Sequence, residues 1–362
     1  MKLKSGMNFV TLILFLCFSA GCRGLATEPE PVIPTWIPQH SGSTASLRGI
    51  CAVSERIAWA SGEQGTCLRT TNGGDTWEAI HVPGADALDF RDIQAWDEYT
   101  AIIMAAGDPA RIFKTTDCGM HWSETYFNDT PGVFLDAMAF WDQNNGVAFG
   151  DPLVGGFLAL ATGDGGNSWE RIPPETLPAP LPGEAAFAAS GTCLCVAEGL
   201  HAWFGTGGTG SRVIQTADKG VTWESFSAPL ICGRPSTGIF SLAFCSAENG
   251  VMVGGDYESA ELAEENAAWT ADSGKSWTLS EIPPLGYRSC VAWVPIPDGQ
   301  LLIAVGPTGS DYSLDHGKRW KPFSNTGYHS ISFNGLSGWA SGADGRIAKF
   351  ALVLPPPTGH PL

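Results

Sequence analysis

Short apolar runs separated by glycine and polar turns recur along most of the chain. In the first repeat they are Gly49-Ile-Cys-Ala-Val53, Ile57-Ala-Trp-Ala-Ser61 and Thr66-Cys-Leu-Arg-Thr70, and a fourth begins at Trp77. Runs of this length between turn residues favour β-strands, because an amphipathic helix needs a longer segment with a 3.6-residue period. We therefore expect sheets of four short strands, A to D in chain order.

An eight-residue motif, Ser/Thr-x-Asp/Asn-x-Gly-x-x-Trp, follows the third strand of each repeat. Its six copies have Asn72, Asp117, Asp164, Asp218, Asp272 and Asp315 at the third position, with Trp-to-Trp steps of 45, 47, 54, 54 and 43 residues. The Asp or Asn is expected to accept backbone hydrogen bonds, the Gly to adopt a left-handed conformation and the Trp to fill the gap between sheets. This motif is the Asp-box, and four strands per repeat at this period predict a β-propeller. We assign these Asp and Asn residues a structural role.

The number of blades follows from the glycine that ends strand B. This glycine occurs seven times, at Gly62, Gly107, Gly150, Gly205, Gly254, Gly306 and Gly342. The seventh repeat stops before its Asp-box and therefore lacks strand D. Residues 35–39, at the other end of the chain, resemble the strand D sequence of the first repeat. We predict an all-β, seven-bladed propeller over residues 35–351, whose last blade is closed by the N-terminal strand so that no sheet edge is left open.

The two ends of the chain have a different composition. Residues 1–21 begin with Lys2 and Lys4, continue as an apolar run of about ten residues and end before Cys22, which is typical of a secretory signal. The sequence Ser19-Ala-Gly-Cys22 resembles a bacterial lipobox, which predicts lipidation of Cys22; ordinary cleavage is the alternative. Residues 22–34 are predicted to be a Pro-rich tether and residues 352–362 a Pro-rich tail. We expect an exported lipoprotein of the periplasm or cell envelope, anchored to the membrane.

Composition narrows the range of partners and cofactors. Only 16% of the 362 residues are charged and the net charge is −17, which argues against coiled coil, acidic disorder and nucleic-acid binding. The seven His have no metal-ligand spacing, so we expect neither metal nor cofactor, and we expect a monomer. Most cysteines outside the signal lie in strands as small core residues, although a disulfide from Cys193 or Cys195 to Cys232 is an open alternative.

Strand direction predicts which face carries a binding site. The B–C turns and D–A loops share one face, which also carries the insertions 172–183 and 256–266, and the Asp-boxes lie on the other. The residue before each strand A should ring the channel mouth. For blades one to seven these residues are Arg48, Arg91, Asp136, a small residue near Ala188, Phe240, Arg288 and His329.

Two sets of charged residues on this face are candidates for binding. Blades six, seven, one and two are neighbours in a closed ring, so Arg288, His329, Arg48 and Arg91 form a predicted basic arc. The B–C turns supply Asp108, Asp151 and Asp256. The alternative for the arginines is capping or local ion pairing, and for the acids Asx-turn chemistry.

In segments 58–77 and 338–350, Gly-Trp-Ala-Ser-Gly or a close variant precedes the position of the box. These segments resemble the blade turns of the photosystem II stability/assembly factor family. Segments 149–152, 254–257 and 304–312 are more similar to its non-photosynthetic bacterial subgroup. The resemblance implies an exported, non-enzymatic seven-bladed propeller that binds a protein or peptide, such as a membrane-protein assembly intermediate. It also implies an arginine patch, for which Arg48, Arg91 and Arg288 are the matching positions.

Two enzyme classes remain as alternatives. Asp-boxes also occur in sialidases and other glycoside hydrolases, where two carboxylates about 5–10 Å apart perform the chemistry, and Asp108, Asp151 and Asp256 could supply a pair. A sialidase would need an Arg-Ile-Pro motif ahead of the first box, which is absent. The segment Gly205-Thr-Gly-Gly-Thr-Gly210 matches a dinucleotide-binding spelling, but a strand follows it where that fold requires a helix. The oxidoreductase alternative is therefore the more remote.

Overall fold

The computed structural model describes residues 33–197, 199–296 and 299–353. Strand β1 (Ile33–Gln39) comes first in the chain and belongs to the last blade. Blade one contains β2 (Leu47–Ala52), β3 (Ala58–Gly62), β4 (Cys67–Thr70) and β5 (Glu78–Ile80). Blade two contains β6 (Asp89–Ala95), β7 (Ala101–Ala106), β8 (Ala110–Thr115) and β9 (Ser123–Asn128). Blade three contains β10 (Leu135–Phe140), β11 (Gly146–Leu153), β12 (Gly156–Thr162) and β13 (Glu170–Arg171).

The second half of the ring begins after a 3₁₀ helix at Pro174–Thr176. The strands of blade four are β15 (Leu194–Ala197), β16 (His201–Gly205), β18 (Arg212–Thr216) and β19 (Glu224–Ser227), and the short β14 (Glu184–Ala185) and β17 (Gly207–Gly208) join the sheet of blade five. Blade five contains β20 (Thr237–Phe244), β21 (Gly250–Asp256), a 3₁₀ helix at Tyr257–Ser259, β22 (Ala267–Thr270) and β23 (Thr278–Leu279). Blade six contains β24 (Cys290–Ile296), β25 (Gly299–Gly306), β26 (Gly309–Ser313) and β27 (Lys321–Ser324). Blade seven contains β28 (Ser330–Asn334), β29 (Ser337–Ser341) and β30 (Ile347–Val353).

The blades form a closed ring. Each innermost strand, in the order β2, β6, β10, β15, β20, β24 and β28, contacts the innermost strands before and after it. Strand β1 is antiparallel to β30 and becomes the outer strand of blade seven. The all-β, seven-bladed propeller with an N-terminal closing strand is therefore confirmed. No helix in the described part of the chain is long and apolar enough to cross a bilayer.

Strand pairing extends beyond the predicted bounds of the propeller. The β1–β30 ladder begins at the pair Ile33 and Val353, so two residues assigned to the tether and two assigned to the tail belong to blade seven. Trp36 explains why this strand is held, since its indole packs against Tyr328 and Phe350 and donates to Ser310 Oγ at 3.0 Å. The predicted signal, Cys22 and the rest of the tether and tail lie outside the described residues.

The six box motifs form the same turn. In the first, Thr70 Oγ1 donates to Asn72 Oδ1 at 3.0 Å and accepts from the Gly74 amide at 2.9 Å, and Asn72 Oδ1 accepts from the Thr76 amide at 3.0 Å. The other five repeat these three bonds. The box Gly has φ between 77° and 89° in every copy. The Asp and Asn side chains are thus used to hold turns.

The hydrophobic core lies between blades. Trp223, from the box of blade four, is buried against Phe149 of blade three with ring centroids 4.9 Å apart. Trp169 packs between blades two and three, and Trp320 packs between blades five and six. The box tryptophans therefore join neighbouring sheets, as the motif predicts, and this stacking holds the ring that positions the site.

Candidate functional site at the channel mouth

In four of the blades strand A starts with a β-bulge next to the channel mouth. The strand register shifts across Arg48, Arg91, Asp136 and Phe240, in blades one, two, three and five. A bulge opposes two residues to one and thereby redirects a side chain. Arg48, Arg91 and Phe240 line a cavity at the mouth, whereas Asp136 is completely buried.

The cavity has a volume of about 360 Å³ and two chemically distinct sides. Its basic side consists of Arg48, Arg91 and His329, and its apolar side of Phe187, Phe240, Tyr257, Tyr287 and Pro307. The rings of Phe187 and Phe240 stack 3.9 Å apart, and Tyr287 meets Phe240 edge-on at 4.6 Å. Tyr257 is 49% exposed at the opening. A ligand that carries both an anionic group and an apolar surface complements this arrangement.

The two arginines of the basic side differ in their partners. Arg91 Nε donates to Asp89 Oδ2 at 2.5 Å and its Nη1 donates to the Ala188 carbonyl at 3.0 Å. Arg48 Nε is buried and has no hydrogen-bond partner among the described residues. Burial, and then the positive charge of Arg91, lowers the pKa of Arg48. A buried donor without a partner is costly, so an acceptor bound at this point would be favoured.

His329 contributes a neutral ring to the basic side. Burial, followed by the charges of Arg48, Arg91 and Arg346, lowers its pKa to about 4. The imidazole is consequently uncharged near neutral pH and acts as one donor and one acceptor. The positive charge of the cavity comes from the two arginines.

The structure corrects the predicted position of Arg288. The Arg288 amide donates to the Gly254 carbonyl of the preceding blade, as the Leu47 amide does to Gly342, so Arg288 corresponds to Leu47 and not to Arg48. Its side chain is 1% exposed and its Nε donates to Asp311 Oδ2 at 2.6 Å. It also donates to the carbonyls of Tyr287 and Leu285. Arg288 therefore braces a loop of blade six, and Tyr287 lines the cavity in its place.

The central channel is plugged by residues 187–192, which connect blade three to blade four. Ser190 Oγ donates to the Ser289 carbonyl of blade six at 2.7 Å, and Ser330 Oγ of blade seven donates to the Ser190 carbonyl at 3.1 Å. Thr192 Oγ1 donates to Ser241 Oγ of blade five at 2.7 Å, and Arg91 of blade two holds the Ala188 carbonyl. The segment is thus hydrogen-bonded to four blades across the ring, whereas the sequence predicts only a small residue near Ala188 at the channel mouth.

The plug separates the channel into two chambers. Ala188 and Ala189 line the upper cavity, whereas Ser190, Gly191 and Thr192 line a lower one of about 200 Å³. Gly191 has φ of 72°, and a Cβ atom there would lie 2.4 Å from the carboxyl of Asp92. Only glycine fits this crossing point.

Two buried carboxyl groups lie beneath the upper cavity. Burial raises the pKa of Asp92 to about 8, although it accepts hydrogen bonds from the amides of Ile93 and Met138 at 2.7 Å. Burial, and then repulsion from Asp151, raises the pKa of Asp136 well above its usual range. Burial thus disfavours the negatively charged form of both carboxyl groups.

The three predicted B–C turn acids do not line the cavity. Asp108 is exposed, Asp151 accepts from the Ala186 amide at 2.9 Å, and Asp256 accepts from the Glu258 amide and pairs with Arg234 at 3.4 Å. Burial raises the pKa of Asp151. Asp256 thus makes the bond of an Asx turn, whereas Asp151 holds the distant segment that leads to blade four. Nothing in the described residues brings these acids together around a ligand.

The other candidate chemistry of the sequence also has a structural use. Gly207 and Gly208 form β17 of a turn that leads into strand β18, and a Cβ atom at Gly207 would lie 2.4 Å from the Thr237 carbonyl. These glycines allow backbones to approach closely. Cys193, Cys195 and Cys232 form no disulfide, so the alternative bridge is not made. No group of three or more His, Cys, Asp or Glu side chains is placed to hold a metal in the described ranges.

The fold and cavity define a seven-bladed propeller whose plugged channel opens as a blind pocket on the loop-rich face. Among solved structures it is similar to one described as YCF48 bound to D1 peptide, with 17% identity, a TM-score of 0.60 and coverage of 90% of this chain and 99% of that one. YCF48 from Cyanidioschyzon merolae matches at 16% identity with a TM-score of 0.59, over 88% and 98% of the two chains. Virginiamycin B lyase from Staphylococcus aureus matches at 13% identity with a TM-score of 0.56, over 89% and 99%.

These structural likenesses establish the propeller fold. No protein-family model matches the sequence, and no curated protein matches it.

Proposed function

We propose that this protein is an exported, non-enzymatic scaffold that binds a polypeptide partner in the upper cavity. The observation that carries the proposal is the pairing of Arg48, whose buried Nε has no partner among the described residues, with a stacked aromatic wall at the mouth of a plugged channel. Backbone and side-chain oxygens of a peptide satisfy such a donor, and its apolar side chains cover such a wall. The similarity to a propeller solved with a bound peptide supports the same ligand class.

The proposed anchor is the lipidated Cys22, and the proposed partner is a membrane-protein assembly intermediate. Both rest on the sequence, in which a lipobox-like segment precedes a Pro-rich tether and the blade turns resemble an assembly-factor family. A lipid anchor would hold the propeller close to newly inserted membrane proteins. We propose that the protein belongs to the non-photosynthetic bacterial subgroup of that family.

Site-specific photocrosslinking tests the binding function. With p-benzoylphenylalanine in place of Tyr257, which lines the cavity, we expect a covalent adduct with a polypeptide in intact cells. The matched control replaces Tyr99, which is similarly exposed at 52% but lies in a turn on the opposite face. Adducts equal at both positions, or unchanged in an Arg48→Ala, Arg91→Ala background, would contradict binding in the cavity.

A further inference from the structure

The upper cavity is blind, and this restricts what can occupy it. Its floor is Ala188 and Ala189, and the same segment continues as the roof of the lower chamber. Hydrogen bonds to blades two, five, six and seven hold the segment in place. An extended chain therefore cannot thread from this cavity into the lower chamber. Whatever fills the cavity enters and leaves by the same opening, as the end of a chain does.

The charge of the cavity distinguishes between the two ends of a chain. Arg48 and Arg91 are adjacent around the ring, and a guanidinium matches a carboxylate with two parallel hydrogen bonds. Asp89 already accepts from Arg91, whereas Arg48 Nε keeps a buried donor to offer. Asp89 and Glu63 lie close enough to act on Arg48, but the charged groups that line the cavity itself are the two arginines, which favour a carboxyl terminus over a protonated amino terminus.

The apolar side determines what the last residue carries. Phe187 and Phe240 form a stacked pair beside the arginines, with Tyr287 edge-on to Phe240. The volume of about 360 Å³ lies at the lower end of the range of roughly 300–1,000 Å³ for small-ligand pockets. That space suits the end of a chain rather than a long segment.

We propose that the cavity binds the free carboxyl terminus of a polypeptide whose last residue has a large apolar or aromatic side chain. The carboxylate lies between Arg48 and Arg91, and the last side chain packs against Phe187 and Phe240. This inference rests on the proposed function and names the part of the partner that is recognised.

Two matched random-peptide libraries test the proposal. One displays seven random residues ending in a free carboxyl terminus, and the other displays the same seven residues followed by a fixed Gly-Ser tail. We expect enrichment on the whole propeller only from the first library, with large apolar residues at the last position. A selected peptide remade as its carboxyl-terminal amide should bind at least tenfold more weakly by calorimetry, because the amide cannot form the charged pair.

Variants assign the effect to the cavity. Arg48→Ala with Arg91→Ala should abolish the preference for the free acid, and Phe187→Ala should remove the preference for an apolar last residue. Arg56→Ala, in an exposed turn of the opposite face, should change neither. Arg48→Lys keeps the charge without the fork and should bind with intermediate affinity, which guards against misfolding of the alanine variants.

Three outcomes would overturn the proposal. Equal enrichment of both libraries, or equal affinity of acid and amide, would show recognition of internal sequence, and the proposed peptide binding would survive. Enrichment of neither library alongside successful photocrosslinking would exclude a chain end as the occupant. Binding of the N-acetylated last amino acid as tightly as the selected peptide would identify a free small carboxylic acid as the ligand.

Discussion

Blade one and blade four are built on the same repeat, but they differ at the centre of the ring. In blade one the inner strand β2 spans Leu47–Ala52 and the bulge at Arg48 faces the cavity. In blade four the inner strand β15 begins only at Leu194, because the residues before it cross the channel as the plug. The regular blade supplies a charged group and the irregular blade closes the pocket beneath it. The site therefore depends on the departure from the repeat as much as on the repeat itself.

The largest effect is expected from a substitution at the point where the plug crosses the channel. Gly191→Val places a branched side chain where even a Cβ atom would meet the Asp92 carboxyl, at a left-handed φ. We expect the free energy of unfolding to fall by about 4 kcal/mol, since overpacking and backbone strain add. Urea denaturation measures it.

Gly42→Val is the matched control for this change. Gly42 has a similar φ of 75°, but a Cβ atom at this position would have no other atom within 4 Å. The variant should therefore lose only the backbone component, about 1–2 kcal/mol. Equal losses at the two glycines would show that the plug is not tightly held.

An intermediate effect is expected from the loop that leads to the plug. Glu184 in β14 is buried. Its carboxylate accepts hydrogen bonds from Arg212 Nε at 2.9 Å and from the Thr206 hydroxyl at 2.6 Å. Glu184→Gln breaks a buried ion pair and should lower the unfolding free energy by about 3 kcal/mol. Glu281→Gln breaks the half-exposed pair with Arg319 and should lower it by less than about 1 kcal/mol. Thermal and urea unfolding of both variants separate these expectations, and similar losses would contradict them.

The last and smallest of the three effects is a pH dependence that comes from His329, on the basic side of the cavity. The pKa of His329 is about 4 in the folded protein and about 6.5 when unfolded, so the unfolded chain binds more protons between these values. Stability from this group is complete above pH 6.5 and is lost as the pH falls toward 4. Between pH 7 and pH 5 the wild type should lose about 1–2 kcal/mol of stability relative to His329→Gln, because buried Asp92, whose pKa is raised, contributes the opposite pH dependence to both proteins. An unchanged pH slope in the variant would mean that His329 is not held neutral.

The architecture could be predicted because each of its rules is local in sequence. A box such as Thr70 to Trp77 contains all the groups that form its turn, and the strand at 35–39 resembles the strand D that blade seven lacks. Arg48 and Arg91 line the cavity, as expected for residues that precede strand A in their repeats.

The parts that could not be predicted depend on distant partners. Arg288 also precedes a strand A, but its side chain is hydrogen-bonded to the buried Asp311. Tyr287 lines the cavity instead. The plug could not be predicted either, because the groups that hold its small residues belong to blades distant in sequence. A run of small residues with one aromatic, at 185–192, is the signal that sequence offers for such a segment.

The closing strand has a consequence for how the protein is made. Residues 33–39 pair with residues 347–353, so the first strand of the propeller cannot pair until the last strand has been made. Contacts so distant in sequence form late and slowly. During synthesis and the proposed export, the indole of Trp36 and one edge of β1 therefore have no native partner until nearly the whole chain is available. A chain cut short before residue 347 lacks the strand that pairs with β1, and its ring stays open at this seam.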